Sequence, residues 1–76
     1  MDKLLNLLQS IRSDIDFKNE KKLMDDGLLD SFDIVSIISE INEAFDVDIT
    51  VDDISPENFN SLSSIYALIE RLKEEQ

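Results

Sequence analysis

The chain of 76 residues has room for one domain, residues 1–76, built on one modest core. With 42% hydrophobic residues, a single Gly and a single Pro, the composition fits an ordered globule; with no Cys, neither a disulfide framework nor a thiolate metal site supplements the core. Seven basic against 18 acidic residues give a formal charge of −11, which argues against nucleic-acid binding and favours partners bearing Lys and Arg patches.

From Asp2 to about Ile15, the residues Leu4, Leu5, Leu7, Leu8, Ile11 and Ile15 recur at intervals of three and four, which predicts an amphipathic first helix. Asp14 to Asp30 lacks that spacing and reads as a long loop held down by Phe17, Leu23, Met24, Leu28 and Leu29. A second helix is predicted to start at Asp30 or Ser31, since either side chain can accept from the free amides of a first turn. Its inward stripe is expected to comprise Ile34, Val35, Ile37, Ile38, Ile41 and Phe45, with Asp33, Ser36, Glu40 and Glu43 on other faces. Val47, Ile49 and Val51 alternate with polar residues, but no partner strand exists, so this stretch is expected to be an extended connector. Ser55, Pro56 and Glu57 signal a short third helix that turns Phe59 inward. Asn60 or Ser61 then caps a last helix with Leu62, Ile65, Leu68, Ile69 and Leu72 on one face. The expected architecture is all-α, a four-helix bundle of three longer helices and one short third helix.

The chemistry available to these residues is narrow. Nucleophilic catalysis by Ser needs a base, commonly His, and the chain has no His and no Cys; a bundle this small also leaves little interior for a substrate pocket. The protein is therefore not expected to be an enzyme. Asp46, Asp48, Thr50, Asp52 and Glu57 imitate positions one, three, five, seven and twelve of a calcium-binding loop. The pattern fails at Val51, where the sharp turn requires Gly, and at Asp53, where an apolar residue is usual, so no metal site is expected.

The remaining constellation is Gly27, Leu28, Leu29, Asp30, Ser31, Phe32 and Asp33, directly ahead of an apolar helix with acids on its outer face. This run resembles the attachment site of the acyl and peptidyl carrier proteins, where an Asp, Ser, Leu triplet after a long loop presents the Ser at the start of helix two. The order of the four helices, the segment Phe45, Asp46, Val47, and Pro56 to Phe59 ahead of the last helix extend the resemblance over roughly Leu4 to Leu72. It implies that a phosphopantetheinyl transferase moves a 4'-phosphopantetheine arm from coenzyme A onto Ser31, with Asp30 and Phe32 flanking the attachment. It also implies that the arm's thiol holds an acyl or aminoacyl group as a thioester, loaded by a ligase and passed to acyl-processing enzymes. Asp33, Glu40 and Glu43, with Asp30, are the candidates for pairing with basic partner surfaces. Phe32 in place of the common Leu, and Ser36 and Asn42 where acids are frequent, depart from the family's fatty-acid form and suit a specialised aminoacyl, polyketide or other acyl pathway.

A competing reading is an acidic helical adaptor that docks a basic protein without covalent chemistry. No apolar run is long enough to span a membrane and no charged leader precedes one, so a cytoplasmic location is expected; the chain is also expected to be a monomer.

Overall fold

The computed structural model describes residues 2–75. Among them are four α-helices and no strand: α1 (Asp2–Ile11), α2 (Ser31–Phe45), α3 (Pro56–Phe59) and α4 (Leu62–Glu74), with a single 3-10 turn at Val51–Asp53. The all-helical architecture is the one expected from the periodicity. α1 packs on both α2 and α4, and α3 packs on α4. One apolar cluster joins them, and Leu4, Leu8, Phe17, Leu23, Ile37, Ile41, Phe59, Ile65, Leu68 and Ile69 are wholly enclosed within it. Burial on that scale is the main term opposing the loss of chain entropy in a domain without covalent cross-links.

α1 stops at Ile11, shorter than the run of apolar spacing to Ile15. The amide of Arg12 still reaches the Leu8 carbonyl at 3.0 Å, but the chain then turns, and Ile15 enters the core from the loop rather than from a helical face. Two apolar side chains also depart from expectation. Val35 is 65% exposed, because it follows buried Ile34 by about 100° around the helix and so leaves the inward stripe. Phe45 is only half-buried, its ring lying 4.9 Å from the Lys3 ammonium and 5.4 Å from that of Lys73. Lys3 also donates to the Ala44 carbonyl at 2.9 Å, placing a cation at the negative end of α2.

The loop from residue 12 to residue 30 has its own local order. Leu23 to Asp26 form one helical turn closed by Gly27 in the left-handed region at φ 70°. Leu28 donates to the Leu23 carbonyl and Gly27 to that of Met24, both at 3.0 Å, the paired bonds of a Schellman closure. Asn60, between α3 and α4, closes the other end of this turn. Its carbonyl accepts from the Leu23 amide at 2.9 Å, and its Oδ1 accepts from Met24 and Asp25 at 3.0 and 3.1 Å. Three amides that a first turn leaves open are thereby satisfied by one residue distant in sequence. The cap of α4 itself comes from Ser61, whose hydroxyl accepts from the Ser64 amide at 3.1 Å.

Candidate functional site

Asp30 caps α2, and Ser31 is the first residue inside it. The Asp30 side chain accepts from the Asp33 amide at 2.8 Å, and Asp33 Oδ2 accepts from the Asp30 amide at 3.4 Å, so the two aspartates close a reciprocal capping box around Ser31 and Phe32. Ser31 is thus relieved of capping. Its side chain is exposed, and among the described residues nothing hydrogen-bonds its hydroxyl. Among the described residues the amides of Ser31 and Phe32 likewise have no acceptor, leaving two donors at the positive end of the helix dipole. An anionic ester on the Ser31 oxygen would sit where such donors favour negative charge.

Both apolar and acidic side chains are exposed on α2 and the segments beside it. Phe32 is 79% exposed and Val51 80% exposed. Val35, Ile38, Ile49, Val51 and Ile54, with Ser39, Asn42 and Thr50, line an open groove of about 420 Å³ between α2 and the connector. Asp30, Glu40 and Glu43 are exposed, as a surface that meets basic partners requires.

Asp33 does not belong with them. It is 7% exposed and its carboxylate is already occupied, by the Asp30 amide and by the guanidinium of Arg12, so it is not available to a basic partner. Arg12 lies 21 residues earlier and gathers three segments: Nη1 donates to Asp33 Oδ2 and, at 3.3 Å, to the Leu28 carbonyl, while Nε and Nη2 each donate to Asp14 at 2.9 Å. Its bonds to Asp14, then to Asp33, raise the Arg12 pKa, and the same fork holds the Asp14 carboxyl below its ordinary range.

Arg12 holds the site and is not singled out by sequence pattern, while Asn60 reads there only as a possible cap of the last helix. For Arg12, and for Asn60 as the closure of the turn at Leu23, no local signal exists, since each acts across a long loop. Asn42 had a signal, its departure from an acid. Its Oδ1 accepts from the Ile49 amide at 2.8 Å and its Nδ2 donates to the Ile49 carbonyl at 3.3 Å, fastening the connector to α2. Asp53, where the calcium-like pattern fails, accepts from the Thr50 amide at 3.1 Å at the start of the 3-10 turn, and among the described residues no group of three or more candidate ligands converges on a metal position.

An exposed serine at a capped helix entrance, freed from capping and bordered by open amides, is suited to bear a covalent group rather than to perform catalysis. Residues 2–72 match the family described as the phosphopantetheine attachment site. The chain belongs to that family, and is a carrier protein whose cofactor is covalently attached phosphopantetheine. A curated relative, the D-alanyl carrier protein of Lactobacillus acidophilus (strain ATCC 700396 / NCK56 / N2 / NCFM), is 27% identical over 73 residues, spanning 95% of this chain and 92% of the relative. Members of such a family work with transferases and ligases and are not catalytic themselves. Among the described residues no helix is long and apolar enough to cross a membrane.

Proposed function

We propose that Ser31 is the attachment point and that the arm's terminal thiol carries an acyl or aminoacyl group as a thioester. The observation that carries this reading is the free, exposed hydroxyl of Ser31 within the first turn of α2, in a chain whose family is defined by phosphopantetheine attachment. In the loading step the Ser31 oxygen forms a new bond to the phosphorus of the pantetheinyl phosphate, the pyrophosphate P–O bond of coenzyme A breaks, and adenosine 3',5'-bisphosphate departs with the electron pair. The serine proton passes to a base on the transferase, because this chain has no His to take it.

An aminoacyl cargo is favoured over a long acyl chain. Ile37 and Ile41 of α2 and Ile65 and Leu68 of α4 are wholly enclosed, and a small polar cargo needs no shelter between these helices. The relative that bears the name of a D-alanyl carrier supports the same choice. Partner enzymes would read Asp30, Glu40 and Glu43 through basic patches, with Phe32 and Val35 as apolar contacts. Exposed ion pairs contribute less than about 1 kcal/mol each, which suits a carrier that must leave one enzyme for the next.

The test is incubation with coenzyme A and a broad-specificity phosphopantetheinyl transferase, followed by intact-mass measurement of wild type and Ser31→Ala. A gain of one phosphopantetheinyl group on the wild type alone is expected. Two unmodified proteins would support the acidic adaptor instead. The modified wild type, given ATP, D-alanine and an adenylating ligase, is then expected to gain one alanyl group removable by hydroxylamine; loading with long acyl chains only would exclude the aminoacyl cargo.

A further inference from the structure

We propose that Arg12 is a positioning residue for Ser31: through Asp33 it holds the first turn of α2 in the form that the modifying enzyme accepts. This rests on the reading of Ser31 given above. The geometry is a chain of four contacts. Arg12 is anchored by its two bonds to Asp14 and by its bond to the Leu28 carbonyl, so its remaining reach is directed at one place, the Asp33 carboxylate. Asp33 Oδ2 accepts from both Arg12 and the Asp30 amide, and Asp30 in turn accepts from the Asp33 amide. Ser31 and Phe32 lie between the two aspartates.

The charge relationships give this chain its force. Asp33 is buried, and a buried carboxylate without its cation is costly, so removal of Arg12 drives Asp33 toward water. The carboxylate then leaves the Asp30 amide, and one half of the capping box opens. Asp14 is the other carboxylate on the same guanidinium, but it stands in the exposed turn after α1 and takes no part in capping α2. The device therefore couples the end of α1 to the presentation of the serine, with the long loop clamped between them at Leu28. It also accounts for an acid at position 33 that is turned inward although it lies on the most acid-rich helix of the chain.

A carrier whose first turn is ordered only part of the time is a poorer substrate in proportion to that fraction, so its apparent affinity for the transferase falls while saturated turnover is kept. The experiment measures kcat and KM for phosphopantetheinyl transfer from coenzyme A onto wild type, Arg12→Lys, Arg12→Ala, Asp33→Ala and the double variant Arg12→Ala/Asp33→Ala, at a temperature where circular dichroism shows each to be folded. Arg12→Ala is expected to raise KM about tenfold with kcat unchanged, as an ordered fraction of about one tenth requires. Arg12→Lys is expected to recover part of the loss. In the Asp33→Ala background, removal of Arg12 is expected to change KM less than about twofold, because coupled residues do not add.

Hydrogen exchange supplies a readout independent of modification. The amides of Asp33 and Ile34 are expected to lose protection in Arg12→Ala, or in Arg12→Lys should the alanine variant not fold, while that of Leu68 in α4 keeps it. A folded Arg12→Ala with wild-type KM, an equal rise in KM in both backgrounds, or unchanged protection at Asp33 and Ile34 would each overturn the assignment. A wild type that takes no arm removes the reading of Ser31 and this one with it; a modified wild type matched by Arg12→Ala removes the role of Arg12 alone.

Discussion

The side-chain amide of Asn42 holds both backbone groups of Ile49, accepting from its N–H and donating to its carbonyl. A carboxylate could keep the first bond but not the second. Asn42→Asp is therefore expected to cost about 1–3 kcal/mol, from an unpaired carbonyl and one more negative charge on an already acidic chain. Urea denaturation measures it, and an unchanged midpoint would remove the explanation for Asn at this position.

Leu68 and Phe45 were expected to be equally inward, and the structure separates them. Leu68 is wholly enclosed, so Leu68→Ala should cost about 2–5 kcal/mol. Phe45 keeps solvent on part of its ring and gains from two ammonium groups, contacts of about 0.5–1 kcal/mol each at exposed sites, so Phe45→Ala should cost less than Leu68→Ala. Thermal unfolding of the two variants side by side decides the order.

Gly27 is needed for its conformation and not for its size. A Cβ built there meets nothing within 4 Å, but the left-handed φ of 70° charges any other residue a strain of about 1–2 kcal/mol. Gly27→Ala should lose about that much, and Gly27→Asn less, since Asn tolerates this region better. Equal losses in calorimetry would point to a steric cause instead.

Most of the fold was legible because its helices carry unambiguous spacing. α2, α3 and α4 lie where the periodicity, Ser55–Pro56 and Ser61 put them, and the loop is pinned by Phe17, Leu23 and Leu29 as expected. Periodicity misled at its margins, at Ile15, which keeps helical spacing while lying in a loop, and at Val35, an apolar residue on a solvent face. The attachment motif was legible as a local run of residues. What holds the run in place was not, because Arg12 to Asp33 and Asn60 to Met24 are contacts that exist only after the loop has folded. Asp33 was misread for the same reason: its partner is a lone cation near the end of another helix.

The fork of Arg12 makes a pH-dependent contribution whose sign follows from Asp14. The folded pKa of Asp14 is depressed, by its bond to Arg12 first. Its contribution is fully present above the unfolded aspartate value of about 3.9 and is lost as pH falls through the lower folded one. Carbon-13 titration by NMR should place the Asp14 midpoint below the ordinary aspartate value and return it there in Arg12→Ala; no difference between the two proteins would dissolve the fork.

A formal charge of −11 also opposes compaction by self-repulsion, so moderate salt should raise the melting temperature. A melting point that stays flat or falls between low and moderate salt would mean that local ion pairs such as Arg12 with Asp14 outweigh the net field.

Carrier activity, as proposed, requires one serine at the mouth of α2 to bear the arm. Peptide mapping by tandem mass spectrometry of the protein purified from its native host tests it most directly. Phosphopantetheine is expected on the peptide holding residues 30–33, on the oxygen of Ser31, with a small aminoacyl group on its thiol in part of the population. An arm found on Ser36 or Ser39, or a peptide bare of any arm in actively growing cells, would contradict it.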